Sequence, residues 1–470
     1  MPENILQKLL DTTEEAHSRF VKAAQIGQRY YDNDSSICGT GAAAIFEVNQ
    51  YLRKLGKNPL KSADNRIPTN WHRILTDQKT GYLFTYPPQF DAKDSADIAK
   101  TITDTLGQDY PKVIKQLCID ATNCGVGWLA YWYNSGQPFQ YWYLDPTQIR
   151  VVLDPASVKP RIQYLIRSWC TTDANKKTMQ HHEIWTDKDV TYYIAQEHGT
   201  PQLDVSMGTQ GVMAHSYGRI PFIPFRNNSE SRGDLPMYKQ LVDAIDKLVS
   251  GFANDVDDMQ EIIWVIKNYA GELQETDIDK DGNEVTREID LLQKLKAKKI
   301  INVDGDGGVD TLRGEIPYEA RREFLAILKD QLYISAMAVN PFPEAVGQAS
   351  GVYIDFLYSL LELKAGLMET EFRTALDELV QAVLAYKGMA AQPVEQIWTR
   401  NKPRNDLEIV QMIAQTPSEV LSDETKTKAH PLAEDWQEER KRIKVEGEKK
   451  AKEAAALLGD MHPPTNNQEE

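Results

Sequence analysis

Apolar residues first recur with a helical period. Ile5, Leu9 and Leu10 open a stripe that predicts an amphipathic helix over residues 4–30, with Gly27 near its end. Residues 38–62 show no clear period. A second helical pattern lies in Asn65-Arg66-Ile67-Pro68-Thr69-Asn70-Trp71-His72-Arg73-Ile74-Leu75-Thr76-Asp77-Gln78-Lys79-Thr80-Gly81-Tyr82-Leu83, and Pro87-Pro88 ends it. From Gly127 to Phe225 the pattern is that of strands. Trp128 to Tyr133 and Tyr141 to Leu144 are aromatic-rich, Ile162 to Trp169 reads as a strand, and Ile184 to Ile194 reads as a hairpin turning at Asp187-Lys188-Asp189. These aromatics are not interleaved with Lys or Arg, so they are assigned to sheet core and not to a base-stacking surface.

The second half is mostly helical. Asp234 is a candidate N-cap, with Pro236 in the first turn. Leu241, Ile245, Leu248 and Phe252 then form one apolar stripe, while Asp243, Asp246, Asp255, Asp257 and Asp258 occupy other faces. Residues 262–316 read as a small mixed region of short strands and one helix. After Pro317, Leu325, Leu328 and Leu332 are in helical register until Asn340-Pro341-Phe342-Pro343 cuts the pattern. Val352 to Lys387 reads as one helix of roughly 54 Å, with Gly366 its weak point. Ile397-Trp398 marks a short strand. Helix resumes at Asp406, Glu434 to Glu453 is a dense mixture of both charges, and the tail after Gly459 is polar and expected to be disordered.

Composition narrows the classes. With 470 residues, 41% of them hydrophobic, the chain can bury a sizeable core. Its formal net charge of −16 excludes a tight grip on DNA over the whole surface, because phosphate binding runs on Lys and Arg. No stretch approaches the roughly 18–20 apolar residues that span a bilayer, and the first residues lack the pattern of a signal peptide. Cys38, Cys118, Cys124 and Cys170 make no CxxC pair and are expected as reduced thiols. Cys118 and Cys124 could bridge, although buried free thiols fit better.

Candidate chemistry is sparse. Asp277-Ile278-Asp279-Lys280-Asp281-Gly282-Asn283-Glu284-Val285-Thr286-Arg287-Glu288 matches the calcium loop of an EF-hand at positions one, three, five, six and twelve. Glu284 stands where that loop carries an aliphatic residue, so an acidic turn in an exposed hairpin is the competing reading. Gly39-Thr40-Gly41 lacks the preceding strand of a dinucleotide turn, and Gly305, Gly307 and Gly308 lack the Lys-Ser/Thr ending of a phosphate loop. His181-His182-Glu183 has no partner at ligand spacing and reads as a solvent-facing strand start. No catalytic residue, metal site or cofactor site is assigned. Two basic clusters remain, Lys294, Lys296, Lys298 and Lys299, and Arg321 with Arg322; under cyclic symmetry each such residue becomes a ring of charge.

Four blocks, in order, carry a resemblance. They are Asn65 to Leu83, with Trp71-His72 and Asp77-Gln78-Lys79; Gly218-Arg219-Ile220-Pro221-Phe222-Ile223-Pro224-Phe225-Arg226-Asn227-Asn228; Asn302-Val303-Asp304-Gly305-Asp306-Gly307-Gly308-Val309-Asp310-Thr311-Leu312-Arg313-Gly314-Glu315-Ile316-Pro317; and Thr399 to Val410. Together they resemble the portal (head-to-tail connector) proteins of long-tailed double-stranded-DNA bacteriophages. The resemblance implies an α+β portal fold, mainly helical in wing, stem and crown, with a β-rich wing section and a small α/β clip. Its regions would be a wing over 1–233 (β-rich over 127–225), stem helices over 234–261 and 317–339, a clip over 262–316, and a tunnel loop over 340–351. A long wing helix with a return strand (352–403), crown helices (404–458) and a disordered tail (459–470) would follow.

The resemblance further implies a dodecameric ring at one capsid vertex that passes double-stranded DNA during packaging and ejection and hydrolyses nothing itself. Its partners would be terminase, the head-completion adaptor, scaffold and major capsid protein, with no membrane. It would reside in the virion, and in the host cytoplasm during assembly. In that frame Asn340, Pro341, Phe342, Pro343, Glu344, Gln348 and Gly351 would border the DNA. The segment has no Lys or Arg, so contact by steric fit through Phe342, Glu344 and Gln348 is expected. Lys294 to Lys299 would meet adaptor or DNA, Arg321 and Arg322 would mark the stem, and the acidic first stem helix would line or flank the channel. The alternatives are a calcium-binding interaction protein built on residues 277–288, and a connector-like structural protein of a DNA-free tail particle.

Overall fold

The computed structural model describes residues 4–38, 64–92, 96–134, 136–158, 160–172, 176–196, 199–259, 263–267, 274–278, 284–288, 300–303, 308–312, 317–340, 351–402, 406–433 and 436–459. The chain divides into two compact units. Met1–Asn340 with Leu360–Asn401 forms the first, and Pro341–Ser359 with Lys402–Glu470 the second.

Four helices frame the start of the first unit: α1 (Asn4–Tyr31), α2 (Trp71–Phe84), α3 (Ala96–Leu106) and α4 (Tyr110–Cys124). Gly27 lies near the end of α1, as read. A Cβ there would stand 2.2 Å from the carbonyl oxygen of Asn123, so this glycine lets α1 cross the end of α4 at backbone distance. The pattern reading had not placed α3 or α4. The end of α4 is set by Gly125, left-handed at φ 93, whose N–H closes on Ala121 O at 2.7 Å.

Strand Val126–Trp132 is flanked antiparallel by Phe222–Arg226 and Gln140–Leu144. A second antiparallel sheet runs in the order Ile149–Leu153, Ile162–Thr172, Thr178–Trp185, Asp189–Gln196, Gln202–Leu203, with Val212–Ala214 also on Asp189–Gln196. The expected hairpin is present, closed by Thr186 N–H donating to Asp189 O at 2.9 Å. Side chains alternate across this second sheet. Leu165 and Trp185 pack with Trp128 and Phe222 of the first sheet, while Ile166, Ile184 and Tyr193 pack on Leu6 of α1. Burial of each such side chain contributes about 1.5–3 kcal/mol. Trp128, Tyr131 and Tyr141 are buried as core aromatics, whereas Trp132 of the same strand, 43% exposed, is not. His181 and His182 lie mid-strand, half-buried, and bond Thr171 and Ser168; neighbours on one strand face opposite sides, so they share no ligand.

Helices α5 (Lys239–Met259) and α6 (Tyr318–Ser335) pack through Val242, Ile245, Leu328 and Leu332. Between them in sequence, the described residues form strands. Ile300–Val303, Ile263–Lys267 and Gly308–Leu312 make one sheet, and Gln274–Ile278 pairs with Glu284–Glu288. The calcium-loop pattern therefore falls on a hairpin and not between two helices. In its register Asp277 pairs with Val285 and Glu288 with Gln274, so the first and last positions of the pattern lie three residues, about 10 Å, apart along the ladder at ~3.4 Å per residue. Helix α7 (Gly351–Tyr386) buries Leu361, Ala365, Met368, Phe372, Leu376 and Val383. Strand Glu395–Ile397 then returns to pair with Gln89–Asp91. All four cysteines are free, Cys118 and Cys124 being buried.

The second unit holds α8 (Asp406–Gln415), α9 (Asp423–Ala429) and α10 (Trp436–Gly459). Ser422 caps α9 by accepting from Thr425 N, and Lys402 pairs with Asp355. The tail expected to be disordered lies, past Gly459, outside the described residues.

Candidate functional site

A buried ionic joint lies where α2, α7 and the approach to α5 meet. His72, Thr76 and Lys79 are spaced four and three along α2, so they share the inward face, and Lys79 is 1% exposed. Its Nζ donates to Asn227 Oδ1 at 2.5 Å and to Asp234 Oδ2 at 3.0 Å. Lys364 of α7 reaches the same carboxylate oxygen at 2.7 Å and donates to Ala336 O at 2.9 Å. Asn227 Nδ2 donates to the other oxygen, Oδ1, at 2.7 Å. Burial alone would raise the pKa of Asp234. The Lys364 and Lys79 ammonium groups override it and hold the carboxyl well below its usual range. Burial lowers the pKa of Lys364, and Asp234 opposes that shift.

Asp234 is thus not the helix N-cap its position suggests. Its side chain makes no cap hydrogen bond, and a 3-10 turn, Leu235–Met237, precedes α5. Two buried ammonium groups need the carboxylate more than one exposed turn does, because an unpaired buried charge is far costlier than a missing cap.

Beside the joint, His72 sits between Tyr238 O–H, 2.7 Å from Nδ1, and Asn123 Oδ1, 2.9 Å from Nε2. Burial lowers its pKa to about 4, so the ring is neutral at pH 7. Nε2–H then donates to Asn123, and Nδ1 accepts from Tyr238.

Acids of α5 hold neighbouring segments of this unit. Asp243 accepts from Tyr30 O–H and from Lys239. Asp246 accepts from Ser35 and from the N–H and hydroxyl of Thr69. Ser250 Oγ accepts from Ile67 N at 2.9 Å, Asn254 from Asn65 N at 2.6 Å, and Asp257 from the Asn65 side chain. These positions follow one another at three and four residues, so one face of α5 is a rail on which residues 30–36 and 65–69 are docked. These acids thus bond other segments of the same subunit.

Helix α6 ends in a paired closure. Met337 N–H donates to Ile334 O at 3.0 Å and Ala338 N–H to Tyr333 O at 3.0 Å, with Met337 left-handed at φ 51 in the slot that usually holds glycine. Gln78 of α2 then takes both backbone groups of Val339: its Nε2 donates to Val339 O at 2.7 Å and its Oε1 accepts from Val339 N at 3.0 Å.

Of the residues singled out by sequence, Arg321 pairs with Asp255 and lies over the Phe252 ring at 5.6 Å, bracing α6 against α5. Arg322 is largely exposed and pairs with Glu323. Asn340 closes the segment held by Gln78, and Gly351 opens α7. Pro341, Phe342, Pro343, Glu344, Gln348, Lys294, Lys296, Lys298 and Lys299 lie outside the described residues. Among the described residues, no group of three or more His, Cys, Asp or Glu side chains could hold a metal, and no helix is long and apolar enough to cross a membrane.

Sequence reasoning gave no role to Gln78, Lys79, Asn227 or Lys364. One signal was present: Lys364 interrupts the apolar stripe Leu361, Ala365, Met368, and a charge on a core face implies a buried partner.

The family described as "Phage portal protein, SPP1 Gp6-like" matches residues 10–453. The chain is 33% identical over 436 residues to a protein named portal protein from Clostridium phage phiCD119, covering 88% of this chain and 90% of that one. It is 31% identical over 414 residues to the portal protein of Bacillus phage SPP1, covering 84% and 79% respectively. With a family match over almost its whole length and two such relatives, this chain belongs to the SPP1 Gp6-like phage portal proteins.

Proposed function

We propose that the protein forms a ring of about twelve copies at one capsid vertex, through whose axis DNA enters and leaves. One observation supports the ring beyond family membership. Helix α6 packs inward through Leu328 and Leu332 yet leaves Phe324, Ile327 and Ile334 at 51%, 57% and 56% exposure. Helix α7 does the same with Leu363 and Leu367, at 63% and 61%. A helix apolar on two faces needs a second partner, and in a cyclic ring that partner is the next copy.

In this reading residues 1–233 are the wing, 234–261 and 317–339 the stem, 262–316 the clip and 340–351 the tunnel loop. Residues 352–403 are the long wing helix and return strand, 404–458 the crown and 459–470 the tail. Phe342, Glu344 and Gln348 would contact DNA by fit, Lys294 to Lys299 would meet adaptor or DNA, and exposed Arg322 would face the channel or a neighbour. The ring would dock terminase and later the head-completion adaptor and tail, assemble with scaffold and major capsid protein in the host cytoplasm, and remain in the virion. Its role is structural, and the ATP chemistry is left to terminase.

Light scattering with electron microscopy of the purified protein tests this. Rings with a central hole are expected. A monodisperse monomer at every concentration, both alone and co-expressed with the phage's scaffold, would sink the reading.

A further inference from the structure

The chain leaves α6 along a path that two distant side chains hold. Ala336 and Val339 are 0% and 7% exposed, so their backbone polar groups need protein partners. Lys364 supplies one to Ala336 O, and Gln78 satisfies both groups of Val339. Neither side chain belongs to α6. Between the two contacts stands Met337 in the left-handed conformation that a side chain disfavours. Local preference therefore does not set this exit; the surroundings impose it.

Consecutive residues of α2 divide the task. Lys79 holds Asp234, just before α5, while Gln78 holds Val339, just after α6. Lys364 touches both ends, through Asp234 and Ala336. One side of α2 thereby ties the entry of the first long helix of this pair to the exit of the second.

We infer that Gln78 and Lys364 are positioning residues, a clamp that fixes the direction in which the chain departs at Asn340. Resting on the portal reading, the clamp would tie the end of the second stem helix to wing helix α2.

The test is amide hydrogen exchange by mass spectrometry on the full-length purified protein, followed on peptides that cover Ala336 to Asn340. In Gln78→Ala the Val339 amide should exchange about five- to tenfold faster, as for loss of one hydrogen bond. The global unfolding midpoint should hold. Gln78→Glu keeps an acceptor for Val339 N–H but loses the donor to Val339 O, so it should restore part of the protection. Lys364→Met should loosen Ala336 to Val339 while Asp234 keeps its bond to Lys79. Unchanged exchange of Val339 in Gln78→Ala overturns the proposal. So does an acceleration spread evenly over all peptides, which marks a general loss of stability. Mass analysis separates the two readings: absence of rings in the wild type, both alone and co-expressed with scaffold, strikes the portal assembly and leaves the clamp standing, whereas rings with unaltered local exchange strike the clamp alone.

Discussion

Asp234 is the residue on which most of the interior polar chemistry converges. Removing it strands two buried ammonium groups, and breaking a buried pair from one side costs about 3–5 kcal/mol. Urea unfolding of Asp234→Ala should show a loss of this size, with Lys364→Met losing less because Asp234 retains Lys79. Titration gives a second residue-scale expectation. Burial lowers the pKa of His72 to about 4 and raises that of Asp120 to about 7. For His72 the unfolded chain binds the proton more readily, so its contribution is intact above about pH 6.5 and is lost as pH falls toward 4, by up to about 3 kcal/mol. Asp120 acts in the other direction, since the folded carboxyl holds a proton that the unfolded chain releases between about pH 4 and 7. Asp120→Asn, which keeps an acceptor for Gln116, should therefore be more stable than the wild type at pH 8. That gain should fade toward pH 4 in paired urea titrations; a gain that grows on acidification would contradict the assignment.

At the scale of elements, the helices with long apolar stripes were legible, and the shorter α3 and α4, each with exposed polar positions of its own, were passed over. Helix α1 and the paired helices α5 and α6 announce themselves by period. Helix α4 buries polar Thr122 and Asn123 together with Leu117 and Ala121, so polar and apolar positions no longer mark outside and inside. The glycines divide in the same way. Gly27 lies near the end of α1, as read, and is also a crossing point, because a close approach of backbones leaves no trace in the local pattern. Gly366 looked like a weak point in α7, and its Cβ position is open, with nothing within 4 Å. Gly366→Ala should therefore stabilise the subunit by about 0.5–1 kcal/mol through helix propensity. A higher thermal midpoint would confirm it, and a fall would mean that a neighbouring copy occupies that space.

For the whole molecule, 53 basic against 69 acidic residues leave each copy at −16, so copies repel unless screened. In the proposed ring, apolar association of the α6 and α7 faces would have to overcome that repulsion. Ring formation is expected to strengthen between about 0.05 and 0.5 M salt, where the screening length falls below ~10 Å. Leu363→Glu or Ile327→Glu should block it while leaving the subunit folded, since both side chains are more than half exposed in the single chain. Mass distributions with far-ultraviolet circular dichroism check both points; rings that persist in both variants would move the interface elsewhere.

By itself the sequence determined the α+β class, the strands of the β-rich section, the paired helices with their intervening strands, the long helix and the portal family. These follow from local period and from blocks of contiguous residues, and such information survives in one dimension. Only the tertiary structure decided that the acids of α5 face residues 30–36 and 65–69, that Arg321 is a brace, and that Gln78, Lys79, Asp234 and Lys364 form one joint. The physical reason is partner choice. A buried charge or amide is defined by what stands opposite it, and here the opposite residues come from distant segments, 261 positions apart in the case of Gln78 and Val339.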